Sequence, residues 1–174
     1  DGRKKVADLD LPGMPHLGSG ITWRWKDPEG KLRNVMASPN LNEGLITVID
    51  LATYETIAQI KTLGPGFFLR SHEKSRYAFT DSMMSKENKN VLQVIDKQTL
   101  KVVHEFRADP GQTLAHVEFT RNGRYALASL WEVDGALVVI DTKTLKEIKR
   151  IPANKPVGKY NVWNKITRSE GTSH

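Results

Sequence analysis

An all-β chain is what the sequence predicts, and three observations predict it. The first is a stretch written three times: LITVIDLATYETIAQI from Leu45 to Ile60, VLQVIDKQTLKVVHEF from Val91 to Phe106, and ALVVIDTKTLKEIKRI from Ala136 to Ile151. Registered on Asp50, Asp96 and Asp141, the copies recur about 45 residues apart, each with a Thr three residues on (Thr53, Thr99, Thr144). The second is the period inside each copy, where β-branched runs and apolar–polar alternation suit a pleated, half-buried surface. The third is the absence of any window of a dozen residues that keeps a helical 3.6 period, with Gly and Pro interrupting throughout. Strand, turn and strand at a period in the forties is the pattern of a β-propeller blade.

Each copy predicts a hairpin. A run ending in Val-Ile-Asp or Val-Val-Ile-Asp leads into a short polar loop, where Asp and Thr side-chain oxygens can cap neighbouring backbone N–H groups. Ahead of each hairpin lies another strand, again in triplicate: Asn34–Ser38, Arg76–Thr80 and Arg124–Ser129. Ahead of those come Gly20–Trp25, Gly66–Ser71 and Leu114–Thr120, the last followed by the tight turn Arg121-Asn122-Gly123. Four strands per repeat is the content of one blade. The blades are expected over roughly 15–60, 64–106 and 112–151, followed by a returning strand at 158–164 and a polar tail at 165–174. Propellers usually close with four to eight blades, so a chain of three repeats and a tail is expected to be part of a larger ring. Its open strand edges then need a cover: an upstream segment, a partner chain or self-association.

Composition sets outer bounds. With 39% hydrophobic and 26% charged residues the chain can bury a normal core. A net charge of +6 favours an anionic ligand or partner. The Lys and Arg residues are scattered over turns and strand ends with no basic block interleaved with stacking aromatics, so nucleic acid is not the expected partner. No run of 18 apolar residues offers a membrane-spanning helix. Zero cysteines exclude disulfides, thiolate metal sites and a covalently attached c-type haem within this segment.

The candidate site is read from the loops that enter the inner strands. Pro12–Gly20 places His16 just before one of them, where a propeller's channel end would lie; the alternative is a histidine packed in its turn. The flanking glycines would let backbone approach a flat ligand closely. Phe68 lies nine residues before Tyr77 and His116 nine before Tyr125, so the two occupy equivalent inner-strand positions and should point the same way. An aromatic wall in one blade and an imidazole in the next suits a pocket for a large planar ligand, against the plainer reading of a histidine satisfied inside its blade. His72 reads as a turn residue and His104 as solvent-facing. Trp131, at the end of a second strand, suits either stacking on a ligand or capping the blade.

These stretches carry a resemblance. MPHLGSGITW (Met14–Trp23), GPGFFLRSHEKS (Gly64–Ser75), HVEFTRNG (His116–Gly123), SLW (Ser129–Trp131), ALVVIDTKTL (Ala136–Leu145) and PVGKYNVWNK (Pro156–Lys165) resemble, in that order, the C-terminal half of the haem d1 propeller. That family comprises cytochrome cd1 nitrite reductase and its relatives in haem d1 biosynthesis. The resemblance implies a ring of about eight blades, non-covalent haem d1 in the central channel, a periplasmic location and a cytochrome as electron partner. It implies that His16 matches a distal histidine that supplies protons, and that Phe68, Trp131 and Gly158 line the macrocycle. The proximal iron ligand would lie outside this segment.

One departure bears on the chemistry. Where nitrite reductases carry a glutamine, this chain has His116, which is more like the biosynthetic relatives, including the dehydrogenase that introduces the acrylate double bond of haem d1. An imidazole at the ring edge could serve as the base of that oxidation. Arg70 and Lys159 are the expected cationic partners for the acidic side chains of haem d1. Nitrite reduction is the alternative chemistry, and a non-catalytic scaffold binding a protein partner is the alternative of another class.

Overall fold

The computed structural model describes residues 2–160. After a 3-10 turn at Leu17–Ser19, twelve strands follow: β1 Ile21–Lys26, β2 Leu32–Pro39, β3 Leu45–Asp50, β4 Thr56–Lys61, β5 Leu69–Arg70, β6 Tyr77–Asp81, β7 Val91–Asp96, β8 Lys101–Arg107, β9 Leu114–Phe119, β10 Tyr125–Leu130, β11 Ala136–Asp141 and β12 Lys146–Pro152. They form three antiparallel four-stranded sheets, each pairing its strands in chain order. These are the three expected blades.

The repeated aspartate builds the outer hairpin of every blade in the same way. Asp50 Oδ1 accepts the N–H groups of Ala52 and Thr53, Asp96 Oδ1 those of Gln98 and Thr99, and Asp141 Oδ1 those of Lys143 and Thr144. The second oxygen of each pairs with an arginine of the preceding strand region: Arg33, Arg76 and Arg124. Four residues after each aspartate the chain turns through a left-handed backbone, at Tyr54, Leu100 and Leu145 (φ 62, 56 and 52°). The third and fourth strands then slip register at the same place in each blade, between Val48 and Ile49, Val94 and Ile95, and Val139 and Ile140.

Strand alternation divides the middle blade between its neighbours. Leu69, Ala78 and Ile95 join a core with Ile21, Val35, Ile46 and Val48 of the first blade. Phe79, Leu92 and Val94 point the other way and join Phe119, Ala126, Val138 and Ile140 of the third. At about 25 cal/mol per Å² of apolar surface, these two seams are the main favourable term holding blade to blade. Two indoles fasten the first seam: Trp23 Nε1 donates to Lys97 O at 3.2 Å and Trp25 Nε1 to Gln98 O at 2.9 Å.

The inner strand of the middle blade is shorter than the expected Gly66–Ser71. Only Leu69 and Arg70 belong to the ladder, because the N–H groups of Phe67 and Phe68 are taken by the Asp81 carboxylate, at 2.9 and 3.1 Å. A Cβ on Gly66 would stand 2.2 Å from Asp81 O, so only glycine allows this approach. Of the expected returning strand, residues 158–160 carry no ladder pairing, and Asn161 onward lies outside the described residues, as does His174.

Candidate functional site at the inner-strand ends

Where the inner strands begin, the three blades bring a row of rings together. The His16 imidazole lies 4.3 Å from the Phe67 ring centroid, Phe67 lies 4.7 Å from Phe68, Phe68 meets His116 edge to face at 4.5 Å, and His116 meets Tyr160 at 5.7 Å. Each member has a local cause. His16 precedes the 3-10 turn, its N–H bound to Pro39 O at 2.8 Å, and its Nδ1 stands 2.9 Å from Phe67 O. A carbonyl only accepts, so Nδ1 carries the hydrogen in this contact. Phe68 is aimed by the Asp81 bonds to its own amide and to that of Phe67.

His116 stands in β9 with a left-handed backbone, φ 49°, at the point where the β9–β10 register shifts between Leu127 and Ser129. A bulge re-aims the residue it carries, and here it turns an imidazole out of the strand alternation toward the neighbouring blade. His116 is buried at 3% exposure, with its backbone N–H also directed at Asp81. Lys159 reaches it from the segment after β12: Nζ lies 2.6 Å from His116 O and 3.3 Å from His116 Nδ1, and also donates to Ser129 Oγ.

The electrostatics are those of a buried mixed-charge cluster. Burial pushes the Lys159 ammonium down to about 8, against the pull of Glu118. Burial likewise lowers the Arg70 guanidinium, against Glu118 and Asp81, and pushes the Asp81 carboxyl up to about 6 although four backbone amides favour its anion. The Arg70 guanidinium sits 5.4 Å over the Phe68 ring, and its Nη1 donates to Leu69 O.

The structure therefore gathers His16, Phe68, Arg70, His116 and Lys159 at one end of the blades. Trp131 opens the loop after β10, 37% exposed, with its N–H donating to Thr113 O. Gly158 is exposed at φ 72°, one residue before Lys159. His72 does cap its turn, accepting Lys74 N–H at Nδ1, and is fully buried there; His104 is exposed. Asp81, Ser129 and Tyr160 are members that sequence reasoning missed. Asp81 and Ser129 were findable: aligned on Tyr77 and Tyr125, they fall in one column of the repeat, polar residues at the end of a buried strand. Tyr160 follows the last repeat, and no periodicity marks it.

Among the described residues no cluster of His, Cys, Asp and Glu has metal-site spacing, and no helix is long and apolar enough to cross a membrane. A cleft of about 610 Å³ between Lys74, Arg76, Asn122, Arg124 and Lys143 lies at the opposite end of the blades. It is open and basic, whereas the aromatic row combines flat apolar surface, a buried guanidinium, a half-buried ammonium and an imidazole, the chemistry a planar anionic macrocycle would need.

Fold and site together define a propeller-type β protein with an aromatic, cation-bearing site at the inner-strand ends. Residues 1–165 match the cytochrome D1 heme domain, and the chain belongs to that family. It is 54% identical over 174 residues to dihydro-heme d1 dehydrogenase of Pseudomonas aeruginosa, covering 100% of this chain and 34% of that one. It is 27% identical over 120 residues to Protein NirF of Stutzerimonas stutzeri, 69% of this chain and 29% of the relative. Among solved structures, dihydro-heme d1 dehydrogenase NirN in complex with DHE superposes with a TM-score of 0.85 at 54% identity, over 92% of this chain and 33% of that one. Hydrazine synthase of Kuenenia stuttgartiensis, at 16% identity, shares the fold, with a TM-score of 0.59 over 75% of this chain and 36% of its own. The chain thus spans about a third of the length of the relatives it matches.

Proposed function

We propose that this chain is the C-terminal portion of a haem d1 propeller of about eight blades, and that the whole protein oxidises dihydro-haem d1, converting a propionate side chain to an acrylate. The observation that carries the reading is the Phe68–His116 contact, an apolar wall set edge-on to an imidazole; by the resemblance, His116 stands where the nitrite reductases typically have glutamine. In this reading the macrocycle is bound non-covalently, with Phe68, Trp131 and Gly158 along its face. Arg70 supplies positive charge toward its acidic edge, and Lys159, the other cation expected there, stands against His116. His116 removes a proton beside the propionate, and His16 lies over the macrocycle as a proton donor or iron-side group. The oxidation releases two protons and two electrons, and the electrons pass to a one-electron carrier of the cytochrome class. The periplasm is the compartment that fits such a partner.

The test uses the full-length protein, supplied in parallel with dihydro-haem d1 and with nitrite plus a reductant. The expected result is a shifted visible spectrum on binding and conversion of the precursor, with His116→Gln abolishing conversion while the bound spectrum persists. Nitrite turnover at a reductase-like rate, crippled by His16→Ala and little changed by His116→Gln, would replace this reading with a nitrite reductase. No spectral shift at all would point to a non-catalytic scaffold.

A further inference from the structure

We propose that His116 and Lys159 act as one two-part base, in which Lys159 holds the resting proton, sets the tautomer of His116 and receives the proton that His116 relays. The inference rests on the dehydrogenase reading above for its substrate. The coupling of the two side chains stands on geometry alone.

Lys159 Nζ faces three acceptors at once: His116 O at 2.6 Å, Ser129 Oγ, and His116 Nδ1 at 3.3 Å. A charged ammonium has three hydrogens, one for each. In that state Nδ1 is the acceptor, so the neutral imidazole must carry its hydrogen on Nε2, where it is a donor and no base. The neutral amine fits the same three contacts by another count. Two hydrogens go to His116 O and Ser129 Oγ, and the lone pair accepts a hydrogen from Nδ1, which puts the imidazole lone pair on Nε2. Moving one proton between solvent and Lys159 therefore turns His116 from donor into base with no change of position.

Burial makes that exchange accessible, since the ammonium is held down at about 8. Among the described residues the charges around the pair include Glu118 of β9, Arg70 of β5 over the Phe68 ring, and Asp81 of β6 on the His116 amide, with the Tyr160 phenol beside the imidazole. Glu118 favours the charged lysine, and its pull is outweighed by burial.

The step balances. A C–H bond beside the propionate carboxylate breaks, its proton goes to Nε2, the Nδ1–H bond breaks, and that proton joins the Lys159 lone pair. The electron pair left on carbon becomes the new double bond as the adjacent carbon gives its proton to solvent water. The two electrons of that second C–H bond leave to two equivalents of a cytochrome-class acceptor.

Two readouts test this in the full-length protein. Without substrate, the nitrogen resonances of 15N-histidine, with His116 assigned by its loss in His116→Gln, should show Nε2–H below pH 7 and Nδ1–H above pH 9. Lys159→Arg, which donates but does not accept a proton, should hold Nε2–H throughout; Lys159→Met should remove the step. With dihydro-haem d1, the oxidation rate should rise about tenfold per pH unit up to about 8 in the natural protein. It should fall at least a hundredfold in Lys159→Arg at every pH. A His116 tautomer that is constant with pH, or a Lys159→Arg variant with the natural rate profile, would overturn the proposal. If no oxidation occurs in the natural protein, the dehydrogenase reading falls, and the substrate-free tautomer change still decides whether the two side chains are coupled.

Discussion

Phe68 and His116 come from different blades and meet edge to face, 4.5 Å between ring centroids. Each is placed by a backbone irregularity: Phe68 by amides diverted from the ladder to Asp81, His116 by a bulge with positive φ. The contact is thus made by departures from the repeat on both sides of a blade seam.

If this pair forms the wall of the macrocycle site, Phe68→Ala should weaken binding of haem d1 precursor to the full-length protein by about tenfold, from lost ring contact. Phe68→Tyr should stay within a few-fold. Equilibrium titration of the visible spectrum measures both, and an unchanged affinity in Phe68→Ala would remove Phe68 from the site.

Asp81 supports both partners, and its removal is predicted to be costly. Asp81→Ala leaves the buried amides of Phe67 and Phe68 without their acceptor, at about 1–3 kcal/mol for each unsatisfied group. The pH sign is specific. With the folded carboxyl pushed up to about 6 by burial, its contribution to stability is fully present below the unfolded value of about 4 and is lost as pH rises through about 6. The gap in urea midpoint between the natural protein and Asp81→Ala should therefore be wider at pH 4.5 than at pH 7.5.

The turn aspartates should act in the opposite direction. Asp141 is held below the ordinary carboxylate value by the Thr144 and Lys143 amides and by Arg124, and Asp50 by the Ala52 amide and Arg33. Their contribution is present above about pH 4 and is lost as pH falls through their folded values. Asp141→Asn should flatten the acid limb of the stability profile below pH 4. A profile as steep as that of the natural protein would show that the hairpin does not depend on the charge.

Phe79 is fully buried between the middle and third blades, stacked with Phe106 and edge-on to Phe119. Phe79→Ala should cost about 3–5 kcal/mol and lower the unfolding midpoint of the propeller by roughly 10 °C, read by calorimetry. Phe79→Leu should recover most of it.

The fold was legible because it is repetitive: a period, an aspartate with its threonine, and strand alternation are local signals, and every blade uses them alike. Arg33, Arg76 and Arg124 completed the turn without being singled out, since an ion pair between strands leaves no periodic mark. The site was legible in part. Counting from Tyr77 and Tyr125 pairs Phe68 with His116 as equivalent inner-strand positions, but Phe68 falls just outside β5 and His116 sits on a bulge, irregularities that a repeat does not announce. That Lys159 would reach His116 was not readable, because it follows the last repeat, where spacing no longer predicts position. Nor was the Asp81 network, because its bonds go to backbone amides, which every sequence has.

Trp23 and Trp25, buried in the first blade with their indole N–H groups on Lys97 O and Gln98 O, give the molecule a built-in optical gauge. Indole emission reports polarity and hydrogen bonding at the ring, and among the described residues the core of the second seam holds no indole, so parting of the first two blades would shift the colour of these two fluorophores. Trp131, 37% exposed in a loop of the third blade, would be quenched by small solutes in every state and supplies an internal reference. Parting of the blades, one seam before the other, is thereby open to observation without any label.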